Sequence, residues 1–150
     1  MHREYFKGYS SELNRDVEAL IFGHAGTPLL VFPTSQGRFF EYEDRNMIGV
    51  LAPKIDAGEV QVFCPDSVDS ESWYNKGVHP RVRVLRHLQY ERYILHEMLP
   101  FLRWKNNAPR LAVIDKTPQP LQKPTDRVDL HPVSWAGHLA KAVIGAEDQA

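Results

Sequence analysis

Apolar positions along this chain fall into three kinds of run, each implying a different element. Residues 4–9 (EYFKGY) and 15–22 (RDVEALIF) partly alternate apolar with polar side chains, the period of a strand with one buried face. The intervening SSELN supplies turn residues, so a hairpin is expected. LLVF (29–32), VQVF (60–63) and RLAVI (110–114) are short apolar runs, as in parallel strands buried on both faces. Pro28 and Pro33 bound the first of them.

Between these runs the period becomes helical. Met47, Ile48, Val50, Leu51 and Ile55 recur at helix spacing over residues 42–55, with Pro53 expected to interrupt near the end. Residues 82–103 carry the clearest helix, in which Val84, Leu85, Leu88, Ile94, Leu95, Met98, Leu99 and Leu102 form one apolar stripe and Pro100 argues for a break. Hairpin, strand, helix, strand, long loop, helix, strand is the order of an α/β fold: an N-terminal hairpin followed by parallel strands with crossover helices. Beyond Ile114 the pattern fades. Residues 115–127 hold three prolines and read as a Pro-rich linker, and residues 128–150 as a tail with a short helix over 135–144. The expected organisation is therefore 1–114 as the folded unit, then linker, then tail.

Composition narrows the classes without choosing among them. The chain has 150 residues, of which 43% are hydrophobic and 25% charged, ordinary values for one globular domain. Eighteen basic and 19 acidic residues leave a net charge of −1, which gives no general attraction to nucleic acid or to a membrane surface. The single cysteine, Cys64, excludes an internal disulfide and reads as a small core residue. No apolar run follows the charges of MHREYFKGYSSEL, so no signal peptide is expected, and no stretch approaches the roughly 20 residues of a membrane span. The expectation is a cytoplasmic protein. The histidines show no compact ligand spacing, so neither a metal nor a cofactor is called for.

Three blocks carry a resemblance: LLVFPTSQGRFFEYED (29–44), VQVFCPDSVDSESWYN (60–75) and YERYILHEMLPFL (90–102) followed by RLAV. In order and spacing they resemble the esterase group of the α/β-hydrolase superfamily, which includes esterase D and S-formylglutathione hydrolase relatives. The resemblance covers the N-terminal half of that fold, about residues 1–113 here. It implies a partial α/β-hydrolase-like sheet, an oxyanion loop after the first buried strand, and a serine acyl-enzyme mechanism on a small carboxylic ester or thioester. It also implies a Gly-x-Ser-x-Gly elbow after RLAV, where this chain reads IDKTPQPL with neither serine nor glycine.

The candidate residues each admit a second role. Ser35 and Gln36, in PTSQG, lie where backbone N–H groups could meet an oxyanion, a contact worth about 2.7–4 kcal/mol per donor in the transition state. The same residues could be a helix-entering turn capped by Thr34 or Ser35. Asp66, Trp73 and Tyr74, in the loop after VQVF, could wall a substrate pocket, or the aromatics could seal the sheet edge while the acids face water. Ser134, in HPVSWAG, is the candidate nucleophile and equally an ordinary helix N-cap. Two functions follow. One is an ester or thioester hydrolase. The other is a non-catalytic, truncated or recombined esterase fragment acting as a binding or assembly module, with self-association through an exposed sheet edge.

Overall fold

The structure is a computed structural model that describes residues 1–115. Its centre is a five-stranded mixed sheet of order β1-β2-β4-β3-β5. β1 (Arg3–Ser10) and β2 (Arg15–Phe22) form the expected antiparallel hairpin. β3 (Thr27–Phe32) pairs parallel with both β4 (Val60–Pro65) and β5 (Ala112–Asp115), and β4 pairs antiparallel with β2. The fold class is as the residues imply: an α/β fold in which a hairpin leads into parallel strands joined by helices.

Alternate residues of each strand feed two separate cores. Val17, Ala19, Ile21, Leu30, Phe32 and Phe63 face one side, where they meet Tyr90, Tyr93, Ile94, Met98, Leu99 and Leu102. Leu20, Phe22, Val31, Val62 and Cys64 face the other, where they meet Tyr42, Ile48 and Ile55. That two-sided burial explains the continuous apolar runs of β3 and β4. It also corrects the reading of β2 as simply alternating: its second half is buried on both faces, because β4 pairs with it and a helical layer covers each side. Pro28 does not bound β3 but lies inside it, ahead of the point where β5 begins to pair.

The two helical connections each depart from a single regular helix. The expected helix over 42–55 is split into α1 (Glu41–Asp44) and α2 (Met47–Asp56) at Asn46, whose φ of 56° lies in the left-handed region that Asn tolerates. Pro53 does not interrupt α2, which continues three residues past it. On the opposite face, α3 (Pro80–Tyr93) runs into a widened π turn (Ile94–Met98) and then α4 (Leu99–Lys105). His79 and Pro80 start α3: the imidazole Nδ1 accepts from Arg81 N, and proline suits the first turn. The π turn sits just before Pro100, whose ring would collide with the carbonyl four residues back in a regular helix.

The apolar stripe expected along this helix holds only for its second half. Ile94, Met98, Leu99 and Leu102 are buried, but Val84, Leu85 and Leu88 are exposed, and the first half instead buries His87, Tyr90 and Tyr93. The Tyr90 and Tyr93 rings pack in the first core, and the Tyr90 hydroxyl finds an acceptor in the Asp66 carbonyl at 2.7 Å.

Replacing Phe63, which is fully buried in the first core, by Ala is expected to lower unfolding free energy by about 3–5 kcal/mol in urea titration. Val50→Ala, at a residue 69% exposed on α2, is the matched control and should stay within about 0.5 kcal/mol of the parent.

Candidate functional site at the carboxyl rim

β3 and β4 are adjacent and parallel, yet the chain leaves them in opposite directions. After β3 it passes to α1 and α2 over one core; after β4 it passes to α3 over the other. The loops 33–40 and 66–79 therefore part company at the carboxyl ends of the strands. Such a divergence opens a crevice, the position where open α/β sheets receive ligands.

Here the crevice is bridged by protein groups. Gln36 N donates to Asp69 Oδ2 at 3.2 Å across it. Beneath, Arg38 Nε donates to Asp66 Oδ1 at 2.8 Å, and the same oxygen accepts from Phe39 N and Ser67 N. Arg38 also reaches Glu18 on β2, at 3.0 Å. Its guanidinium is held charged above its usual range, chiefly by the Asp66 bond.

The loop itself is shaped by Glu41. Its carboxylate accepts from Thr34 N at 2.6 Å and from the Thr34 hydroxyl, and it pairs with Arg45 at 3.0 Å. Gly37 N donates to Thr34 O at 2.7 Å, closing a tight turn in which Gln36 has φ of 59°. A side chain at position 37 would strike Glu41 Oε2 at 2.5 Å and Thr34 O at 2.9 Å, so glycine is required there. The loop does not cap a helix through Thr34 or Ser35: α1 begins at Glu41 without a side-chain cap, and the Glu41 carboxylate points backward into the loop.

The expected site residues thus have distinct places. Ser35 and Gln36 are exposed at the tip of the rim loop, with the Gln36 amide already engaged. Asp66 is 4% exposed and is a buried anchor for Arg38. Trp73 is turned onto α3, where its indole N–H donates to His87 Nδ1 at 3.2 Å with the rings 5.2 Å apart. Tyr74 is half-buried in the same loop. Ser134 lies outside the described residues, as do the linker beyond Asp115 and the tail. Among the described residues no three His, Cys, Asp or Glu side chains converge on a point that could hold a metal ion.

Sequence reasoning did not single out Arg38, Glu41 or His87. For Arg38 and Glu41 no local signal exists, because their partners are set by loop and sheet geometry. His87 could have been found: it lies at helical spacing with Tyr90 and Ile94, so an aromatic stripe competed with the aliphatic one.

Desolvation is the largest influence on Asp69. It raises the carboxyl above its ordinary range, against the opposing bonds from Gln36 and Ser67. Burial pushes His87 in the other direction, from 6.5 down to about 4. Its Nδ1 accepts from Trp73, so the neutral ring carries its proton on Nε2.

No family model matches the chain, and no curated protein matches it. Among solved structures, the S-formylglutathione hydrolase of Staphylococcus aureus, determined as the apoenzyme, is similar over 71% of this chain and 46% of its own, with a TM-score of 0.48 and 12% identity. The chain thus spans about half the length of that protein. No helix among the described residues is long and apolar enough to cross a membrane.

Because His87 is depressed in the fold, the unfolded chain binds the proton first, and stability should fall as pH drops from 6.5 to about 4. Urea midpoints across that window for the parent and His87→Gln check this. The variant should lose most of the slope.

Proposed function

We propose that this chain is an ester- or thioester-directed protein of hydrolase type, whose rim loop Thr34–Gly37 receives the acyl oxygen of a small substrate. One observation carries the reading. The Gln36 amide aims across the crevice at a carboxylate oxygen 3.2 Å away, the disposition needed toward a developing oxyanion, with Asp69 standing in for that oxygen. Substrate would displace Asp69 from the amide. Its raised pKa favours this, since the carboxyl is easier to neutralise than a solvated one. In this reading Ser134 is the nucleophile, attacking the acyl carbon and releasing the alcohol or thiol before water frees the acid. The family likeness of the three sequence blocks supports the substrate class.

The test is hydrolysis of p-nitrophenyl acetate together with fluorophosphonate labelling of the full chain. Turnover and labelling that both disappear in Ser134→Ala support hydrolysis. Neither activity in the parent chain rejects it.

A second reading, a binding or assembly module, is favoured by the surface. β5 ends the strand order among the described residues, with Leu111, Ala112, Val113 and Ile114 only half-buried. Val82, Val84, Leu85 and Leu88 are exposed along α3, and Trp104 is 78% exposed. A strand at the edge of the described sheet and exposed apolar side chains are both features that favour pairing. This reading expects concentration-dependent self-association in sedimentation velocity, weakened by Leu85→Lys at a residue 50% exposed on α3. A monomer at all concentrations counts against it.

A further inference from the structure

A cavity lies between β1 and the widened turn of the helical layer. It has a volume of about 210 Å³ and is lined by Phe6, Gly8, Tyr9, Tyr93, Glu97 and Phe101, with Val17 and Met98 closing it. Its walls are aromatic. Phe6 and Phe101 pack with centroids 4.6 Å apart, and the buried Tyr93 hydroxyl donates to Met98 Sδ at 3.8 Å. Gly8 permits this arrangement, for a side chain there would meet the Phe6 ring at 2.7 Å.

One charged group lines this aromatic space. Glu97 stands in the π turn, a feature often associated with functional sites. Its Oε1 accepts from Ser11 N at 2.9 Å, Ser11 Oγ at 2.8 Å and Glu12 N at 3.1 Å, so the carboxylate is fixed. The neighbouring Arg92 is spent elsewhere, pairing with Glu12, which the His96 ring also contacts. Glu97 therefore has only neutral donors among the described residues. Desolvation raises its pKa, but the bonds from Ser10, Ser11 and Glu12 together outweigh that, and it stays ionised. A fixed carboxylate lining a space that is otherwise mostly aromatic suits a cation with an apolar body, the chemistry by which aromatic cages hold ammonium groups. A dry apolar cavity of about 150 Å³ already holds a benzene, so the space admits one ring or a compact alkyl group.

We propose that the cavity between β1 and the π turn binds a small organic ammonium compound, its charge against Glu97 and its apolar body among Phe6, Tyr9, Tyr93 and Phe101. This site does not depend on the rim chemistry. The test is a titration of the full chain with benzyltrimethylammonium, benzyl alcohol and phenylacetate, followed by amide chemical shifts. The ammonium ion should bind at least tenfold more tightly than the alcohol, and phenylacetate should bind least. Shifts should centre on Gly8, Glu97 and Met98. Glu97→Gln keeps an acceptor for Ser11 and Glu12 but removes the charge; it should weaken the ammonium about tenfold and leave the alcohol within about twofold. Tyr9→Ala, at a residue 64% exposed, perturbs the fold least and should weaken the ammonium several-fold. Equal affinity for the ammonium ion and the alcohol overturns the proposal. So does tighter binding of the anion, no saturable shift at millimolar concentration, or shifts confined to another surface. If Glu97→Gln does not fold, the three-ligand comparison and Tyr9→Ala decide alone.

Discussion

The parallel pairing of β3 with β4 is the constraint from which the rest of the molecule follows. A parallel pair cannot be joined by a tight turn, so the chain must cross over, and the α1–α2 segment does so on one face. The next crossover lies on the other face and delivers β5 to the far side of β3. Both faces of the two strands are then covered, which is why Leu30, Val31, Val62 and Phe63 are almost wholly removed from water. The crevice at the carboxyl rim comes from the same divergence and needs no residue of its own to create it.

What does need particular residues is the state of that crevice. Backbone amides at a sheet rim would ordinarily be answered by solvent. Here carboxylates answer them, Glu41 within the loop and Asp69 across it, while Arg38 ties the loop to Asp66 and to β2. The rim is therefore charged, and the amides of Thr34 and Gln36 are answered by protein carboxylates. Groups with matching polarity have been drawn together in a place where desolvation makes each unpaired charge costly.

The strands were legible because each carries its own burial signature: alternation in β1, unbroken apolar runs in β3 and β4. Their parallel pairing was legible through the alternation of buried runs with helical ones. The helical layer was read less well. Val84, Leu85 and Leu88 satisfy a helical period as fully as His87, Tyr90 and Tyr93 do, and periodicity alone does not say which face turns inward. The choice was made by tertiary contacts, among them Trp73 on His87 and the Tyr90 hydroxyl on the Asp66 carbonyl. At the rim, the sequence located the loop but not the occupancy of its amides. Gln36 and Asp69 are 33 positions apart, and only the register of β3 against β4 brings them face to face.

The grip of Glu97 on the hairpin turn has a dynamic consequence. Its bond to Ser11 N spans 86 positions in sequence, and Arg86 reinforces the same turn through the Leu13 carbonyl. The hairpin's own ladder can form early and locally. Its tip is locked only when the second helical layer has settled on the sheet. The amides of Ser11 and Glu12 are thus sentinels of that docking: lifting the helical layer would expose them to exchange with solvent deuterium while every rung of the β1–β2 ladder stayed closed.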